Sequence, residues 1–173
     1  AVRRRGRRQH DVPALVALVR TSVAQGRNEL AESILDQALR IDGNDAEAHF
    51  LRGTMLRAQP GRLREALDEF RKAVDLRPDY VDARMALGIQ LLAGGNYPDA
   101  VAQFQAARDL APNLVAVHLN LGDALRSTKQ WQQAKAEFDQ ALRLNPNLAE
   151  AHYDLALMYQ TAGPEFPGMD DLQ

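Results

Sequence analysis

His118-Leu-Asn-Leu-Gly-Asp-Ala-Leu125 places a glycine in the middle of a run that otherwise reads as helix. An exposed glycine inside a helix costs about 1 kcal/mol relative to alanine, so Gly122 needs a compensating role. The rest of the sequence supplies one. At an offset of 34 residues, Asp82-Ala-Arg-Met-Ala-Leu-Gly88 aligns with Ala116-Val-His-Leu-Asn-Leu-Gly122, and Ala100, Phe104, Ala107 and Pro112 fall on Ala134, Phe138, Ala141 and Pro146. Gly53, Ala66, Phe70, Ala73 and Pro78 repeat the series one unit earlier, with one extra residue at Gln59-Pro60-Gly61.

A fainter copy starts at Val12, has Gly26 at its turn, and continues through Ala31, Leu35 and Ala38 to Gly43, where later copies carry proline. A last half-copy runs from Ala151 through Tyr159 to Gly163. The units are therefore 12–45, 46–80, 81–114 and 115–148, with the first helix of a fifth at 149–163. A fixed period of this size marks a solenoid of small supersecondary units. Each unit reads as two helices with apolar residues three and four apart; in the fourth these are expected over Leu114–Thr128 and Trp131–Leu144. Arg77-Pro78-Asp79 and Asn145-Pro146-Asn147 separate units, because proline cannot donate the next helical hydrogen bond and asparagine or aspartate can cap a new helix. The expected fold is all-α, a stack of antiparallel helix pairs. In each pair the glycine is expected to face a small alanine of the second helix, with leucine and phenylalanine filling the space around them.

Composition agrees. The chain of 173 residues is 46% hydrophobic and 25% charged, enough to bury a core. Its formal net charge of -2 hides an asymmetry, because Arg3, Arg4, Arg5, Arg7 and Arg8 crowd the start and leave the body acidic. A body without a basic face argues against nucleic acid as a partner. There is no cysteine, which excludes disulfides and thiolate metal sites. No apolar run approaches the roughly 20 residues needed to cross a bilayer. Residues 1–11 read as a basic, disordered segment and the only part suited to membrane contact. Residues 164–173 read as a turn or the start of an incomplete helix, and an unfinished repeat leaves an apolar end through which two copies could associate. The absence of an initial methionine points to a piece of a larger protein. Many arginines, few lysines and abundant alanine point to a bacterial source, with the cytoplasm beside the membrane as the expected setting.

The pattern resembles the tetratricopeptide repeat, a 34-residue helix-turn-helix whose signature is matched in the third unit by Leu87, Gly88, Leu91, Gly95, Ala100, Phe104, Ala107 and Pro112. The fourth unit departs at Lys129, which stands where the family has glycine. The second has Arg52 in place of leucine, and the first has Val19 in place of the first glycine. A Sel1-like helical repeat is the alternative. The resemblance implies a right-handed superhelix whose concave face, lined by first helices, grips a peptide or an amphipathic helix of a partner. It implies a non-catalytic scaffold in a bacterial envelope, motility or secretion assembly. Alternatives are the substrate-selecting arm of a larger enzyme such as a glycosyltransferase, or a self-assembling scaffold.

Carried onto this sequence, the family's groove positions are Val16 and Arg20 in the first unit, and Phe50, Leu51, Thr54 and Arg57 in the second. The third contributes Met85, Ile89 and Leu92, the fourth Leu119, Asn120, Asp123 and Arg126, and the last helix Tyr153, Asp154 and Leu157. The middle of such a groove is apolar and its C-terminal end polar. The lysine, asparagine and arginine set with which some members clamp a terminal carboxylate is absent, and the asparagine that others repeat in every unit occurs only at Asn120. His49, His118 and His152 share one repeat position, but residues a repeat apart stand on the order of 10 Å from one another, too far to converge on one metal. They are expected to pack beside the next unit. Asp68 with Glu69, and Glu29 with Glu32, read as solvated carboxylates of second helices. No catalytic motif and no cofactor site is read.

Overall fold

The computed structural model describes residues 12–163. They form α1 (Val12–Ala24), α2 (Asn28–Ile41), α3 (Ala46–Arg57), α4 (Leu63–Leu76), α5 (Val81–Ala93), α6 (Tyr97–Leu110), α7 (Val115–Ser127), α8 (Trp131–Leu144) and α9 (Ala149–Ala162). The expected basic segment 1–11 and tail 164–173 lie outside the described residues. Helices of the fourth unit start and stop within one residue of the sequence reading. The chain divides into two compact units, residues 1–83 and 84–173.

In the first unit α1 packs on α2 and α3 on α4, around a core that includes Val12, Val16, Val19, Leu35 and Ala38. Asp45 caps α3, its carboxylate accepting the Ala48 N–H at 2.7 Å. In the second unit α6 packs on α7, and α8 packs on both α7 and α9. Pro98 sits in the first turn of α6, where its missing donor costs nothing.

The glycines explain how closely each pair of helices approaches. A Cβ added to Gly122 would stand 2.5 Å from Cε1 of Phe138; the same contact would be 2.5 Å from Gly88 to Phe104 and 2.7 Å from Gly53 to Phe70. Each glycine therefore faces the edge of a phenylalanine ring, where the sequence reading placed an alanine. Phe70, Phe104 and Phe138 are fully enclosed, so the ring has little room to retreat. The alanines form the rest of the seam: Ala31, Ala66, Ala100 and Ala134 expose nothing, nor do Ala38, Ala73, Ala107 and Ala141. Aromatic burial, worth about 3–5 kcal/mol per ring against alanine, outweighs the roughly 1 kcal/mol that each helical glycine costs.

The turns inside the helix pairs use a left-handed residue. Gly26 has φ 71°, Gly95 φ 78° and Gly61, in the inserted stretch, φ 81°. Lys129 takes the same conformation at φ 60°. A side chain there costs roughly 1–2 kcal/mol, which makes this departure from the repeat pattern a local strain.

Candidate functional site: the face of the first helices

Beneath the first-helix face runs a series of polar clasps. His118 on α7 is hydrogen-bonded through Nδ1 to Oε2 of Glu137 on α8 at 2.6 Å and through Nε2 to the Pro112 carbonyl at 2.8 Å. Arg108 of α6 donates to the other oxygen of Glu137 at 2.9 Å. One carboxylate thus ties three successive helices together. His49 repeats the geometry in the first unit, hydrogen-bonded through Nδ1 to Glu69 at 2.6 Å and through Nε2 to the Gly43 carbonyl at 2.9 Å, while Lys72 donates to Glu69 at 2.9 Å. Arg84 holds the same place on α5 and donates to Gln103 of α6 at 3.0 Å, and His152 bonds the Pro146 carbonyl at 3.1 Å. The histidines therefore fasten their own helix pair and the turn before it, not the next unit. Glu69, expected on a solvated face, is buried. Among the described residues no group of three potential ligands converges on a metal position.

The expected groove residues are distributed unevenly. In the first unit Val16 belongs to the core at 3% exposure and offers no surface to a partner, a correction to its expected place. Arg20 is exposed and paired with Glu47 at 2.6 Å. Phe50 packs on Phe70 and Tyr80, with ring centroids 6.0 and 5.1 Å away, and Arg77 covers Tyr80 at 4.3 Å. Leu51 leans on the core, Thr54 donates to the Phe50 carbonyl at 3.0 Å, and Arg57 is exposed.

In the second unit Met85, Ile89 and Leu92 form a half-buried apolar strip on α5. Leu119 is buried at 8% exposure, so it too is packing rather than lining. Asn120 donates to the Ala116 carbonyl at 2.7 Å, and Arg126 bonds Asp123 at 2.9 Å. On α9 Tyr153 is 67% exposed, Leu157 is half-buried, and Asp154 is buried at 8% exposure.

Two buried carboxyls respond to pH with opposite signs. Burial pushes Glu69 up, but hydrogen bonds from His49 and Lys72 outweigh it and hold it below the ordinary carboxylate value. The stability this contributes is present above the unfolded-chain pKa and is lost as pH falls through the lower folded value. Asp154 is pushed up to about 6, mainly by burial and then by the Asp123 carboxylate, with Arg126 opposing and Glu150 adding. Its folded form holds the proton more tightly than the unfolded chain, so its contribution falls as pH rises from about 4 to about 6. Asp154→Asn is therefore expected to raise Tm by about 2–4 °C near pH 7.5, corresponding to about 1 kcal/mol after allowing for solvent screening. Scanning calorimetry near pH 4 should show little change; a lower Tm at the higher pH would contradict the assignment.

Arg52 has a further consequence. Where other units place leucine, its half-buried side chain reaches across to Asp36 of α2. A cleft of about 360 Å³ opens there over Leu35, Met55 and Leu56, rimmed by charges that include Glu32, Glu65 and Asp68. Arg52 departs from the repeat pattern in the sequence, but the cleft depends on tertiary packing that the pattern does not encode. Most of its rim charges are paired, Arg62 with Glu65 at 2.5 Å and Lys72 with Glu69 at 2.9 Å among them.

Antiparallel helix pairs with a glycine-phenylalanine seam define a helical-repeat protein. Comparison with known sequences refines the class: a profile described as tetratricopeptide repeat matches residues 16–60 and 60–115, and one described as TPR repeat matches 122–163. The chain belongs to the tetratricopeptide repeat family. Solved structures agree on the fold. PilF of Pseudomonas aeruginosa is 26% identical, with TM-score 0.75, over 89% of this chain and 70% of that one. MamA from Desulfovibrio magneticus RS-1 is 24% identical, with TM-score 0.75, over 86% and 83% of the two chains. YrrB, described as a TPR protein with an unusual peptide-binding site, is 22% identical, with TM-score 0.69, over 82% and 73%. No curated protein matches the chain. Among the described residues no helix is long and apolar enough to cross a membrane.

Proposed function

We propose that the protein is a non-catalytic scaffold that binds a peptide or amphipathic helix of a partner protein on the first-helix face of its second unit. The observation that carries this reading is the half-buried strip of Met85, Ile89 and Leu92 on α5, with the polar Asn120, Asp123 and Arg126 on the next first helix, α7. An apolar strip with a polar end suits a helix held by side chains three and four apart, and Met85 can adapt to its shape. The histidines are engaged in structure, since both ring nitrogens of His49 and His118 are bonded to carboxylate and carbonyl. Peptide binding by YrrB supports a similar use of the fold. We place this role in a bacterial assembly of the envelope, motility or secretion type, because similar structures come from bacteria.

A photoreactive amino acid at position 89 is expected to crosslink a partner polypeptide in cells, whereas one at the exposed position 102 on α6 is not. Equal crosslinking from both positions, or none from position 89, would overturn the reading. Self-association is a second reading, favoured by the exposure of Tyr153 on the last described helix. Sedimentation across concentration separates it from partner binding.

A further inference from the structure

Among the described residues α9 is a first helix without a second. In the preceding pair α7 packs on α8 and buries His118, Leu121, Gly122 and Leu125. Their counterparts 34 residues on are His152, Leu155, Ala156 and Tyr159; here His152 and Ala156 are exposed, and Leu155 and Tyr159 are half-buried. The clasp is also incomplete. His152 bonds the Pro146 carbonyl as His118 bonds that of Pro112, but among the described residues no carboxylate stands in for Glu137.

Residues with the missing chemistry follow in the sequence at the same offset. Asp171 and Leu172 align with Glu137 and Phe138, and Gly168 aligns with Ala134, a fully buried small residue of the seam. Gly163, at φ 70°, makes the left-handed turn that Lys129, at φ 60°, makes one unit earlier. Pro167 aligns with Gln133 in the first turn of α8, where a helix needs no N–H donor. One exchange is reciprocal. Three units pair glycine with phenylalanine, whereas the same positions of the fifth hold Ala156 and Leu172. Cε1 and Cζ of Phe138, which would stand 2.5 and 2.8 Å from a methyl on Gly122, have no counterpart in leucine. The first unit makes the same exchange: Val19 stands in the glycine position, Leu35 in the ring position, and both are buried in one core.

We infer that the open face of α9 is a docking site for residues 164–172 of its own chain, with Leu172 seated against Ala156 and Asp171 completing the clasp on His152. A segment tethered this close reaches the face at high effective concentration, so a second copy or a partner helix competes at a disadvantage. The end of the array is thereby closed, and the first-helix face remains the surface open to a partner.

A photoreactive amino acid replacing Leu172 in the intact chain is expected to crosslink to α9 within one polypeptide, giving a product of monomer mass. Crosslinks to α9 that join two chains would mean that a second copy holds the face, and an absence of crosslinks to α9 would mean that the segment lies elsewhere; either overturns the inference. Hydrogen exchange tests the contacts themselves. Leu172→Ser is expected to speed exchange of the α9 amides about tenfold or more while α6 keeps its protection, which shows that the fold is intact. Asp171→Ala should also speed it, but not when His152→Ala is already present. Unaltered exchange in Leu172→Ser would overturn the seat of the leucine, and full additivity of Asp171→Ala with His152→Ala would overturn the clasp.

Discussion

Phe138→Ala is expected to destabilise the second unit by about 3–5 kcal/mol, followed in guanidinium through the fluorescence of Trp131, the single tryptophan of the chain. The ring is fully buried and lies against the bare Cα of Gly122, so removing it leaves a cavity between the two helices. The reverse change tests the same contact. Gly122→Ala gains about 1 kcal/mol of helix propensity but drives a methyl to 2.5 Å from Phe138, and overpacking of this kind costs about 1–3 kcal/mol. Combined with Phe138→Leu, which clears space, Gly122→Ala should cost less than the sum of the two single changes. Strict additivity would show that glycine and ring do not meet. In a repeat protein the loss should fall on α7 and α8 more than on the first unit, since stability is nearly a sum over neighbouring repeats.

Glu137→Ala carries the second large effect, a loss of about 3–5 kcal/mol. Its carboxylate accepts from His118 at 2.6 Å and from Arg108 at 2.9 Å, so truncation strands a buried ring donor and releases the link to α6. The cost lies in the unpaired partner more than in the net worth of the pair. His118→Leu combined with Glu137→Leu should therefore recover much of the loss, because two apolar side chains need no donors. A chemical-denaturation cycle over the four proteins checks this. Glu137→Ala within about 0.5 kcal/mol of the parent would mean that the clasp is ornamental.

The parts of this fold legible in the sequence are those that sterics repeat. Gly53, Gly88 and Gly122 recur because a ring must approach a helix backbone, and in the fourth unit the expected helices end within a residue of the observed ones. Direction was harder to read. The same spacing put an alanine opposite each glycine, because composition shows that small residues meet and not which atom fills the gap. Glu69 was misplaced for a similar reason: a carboxylate on an amphipathic second helix looks solvated unless its partner is known. The signal was present, since His118 precedes Glu137 by the same interval that separates His49 from Glu69, less the inserted residue. Repeat position alone puts Val16 and Leu119 in the groove, whereas Val16 belongs to the core and Leu119 is buried. Asp154 shares a repeat position with exposed-face residues, but its burial depends on how α7, α8 and α9 pack, which no local pattern records.

The claim that the second unit binds through its first helices is tested most directly by capture of partner protein from cells with Met85→Glu and Ile89→Glu introduced together. Both side chains are half-buried on α5 and neither belongs to the glycine-phenylalanine seam, so the helical spectrum and Tm should be nearly retained. Two charges in an apolar strip are expected to reduce capture by about tenfold or more, equivalent to at least about 1.4 kcal/mol of binding energy. Undiminished capture by the folded variant would contradict the account.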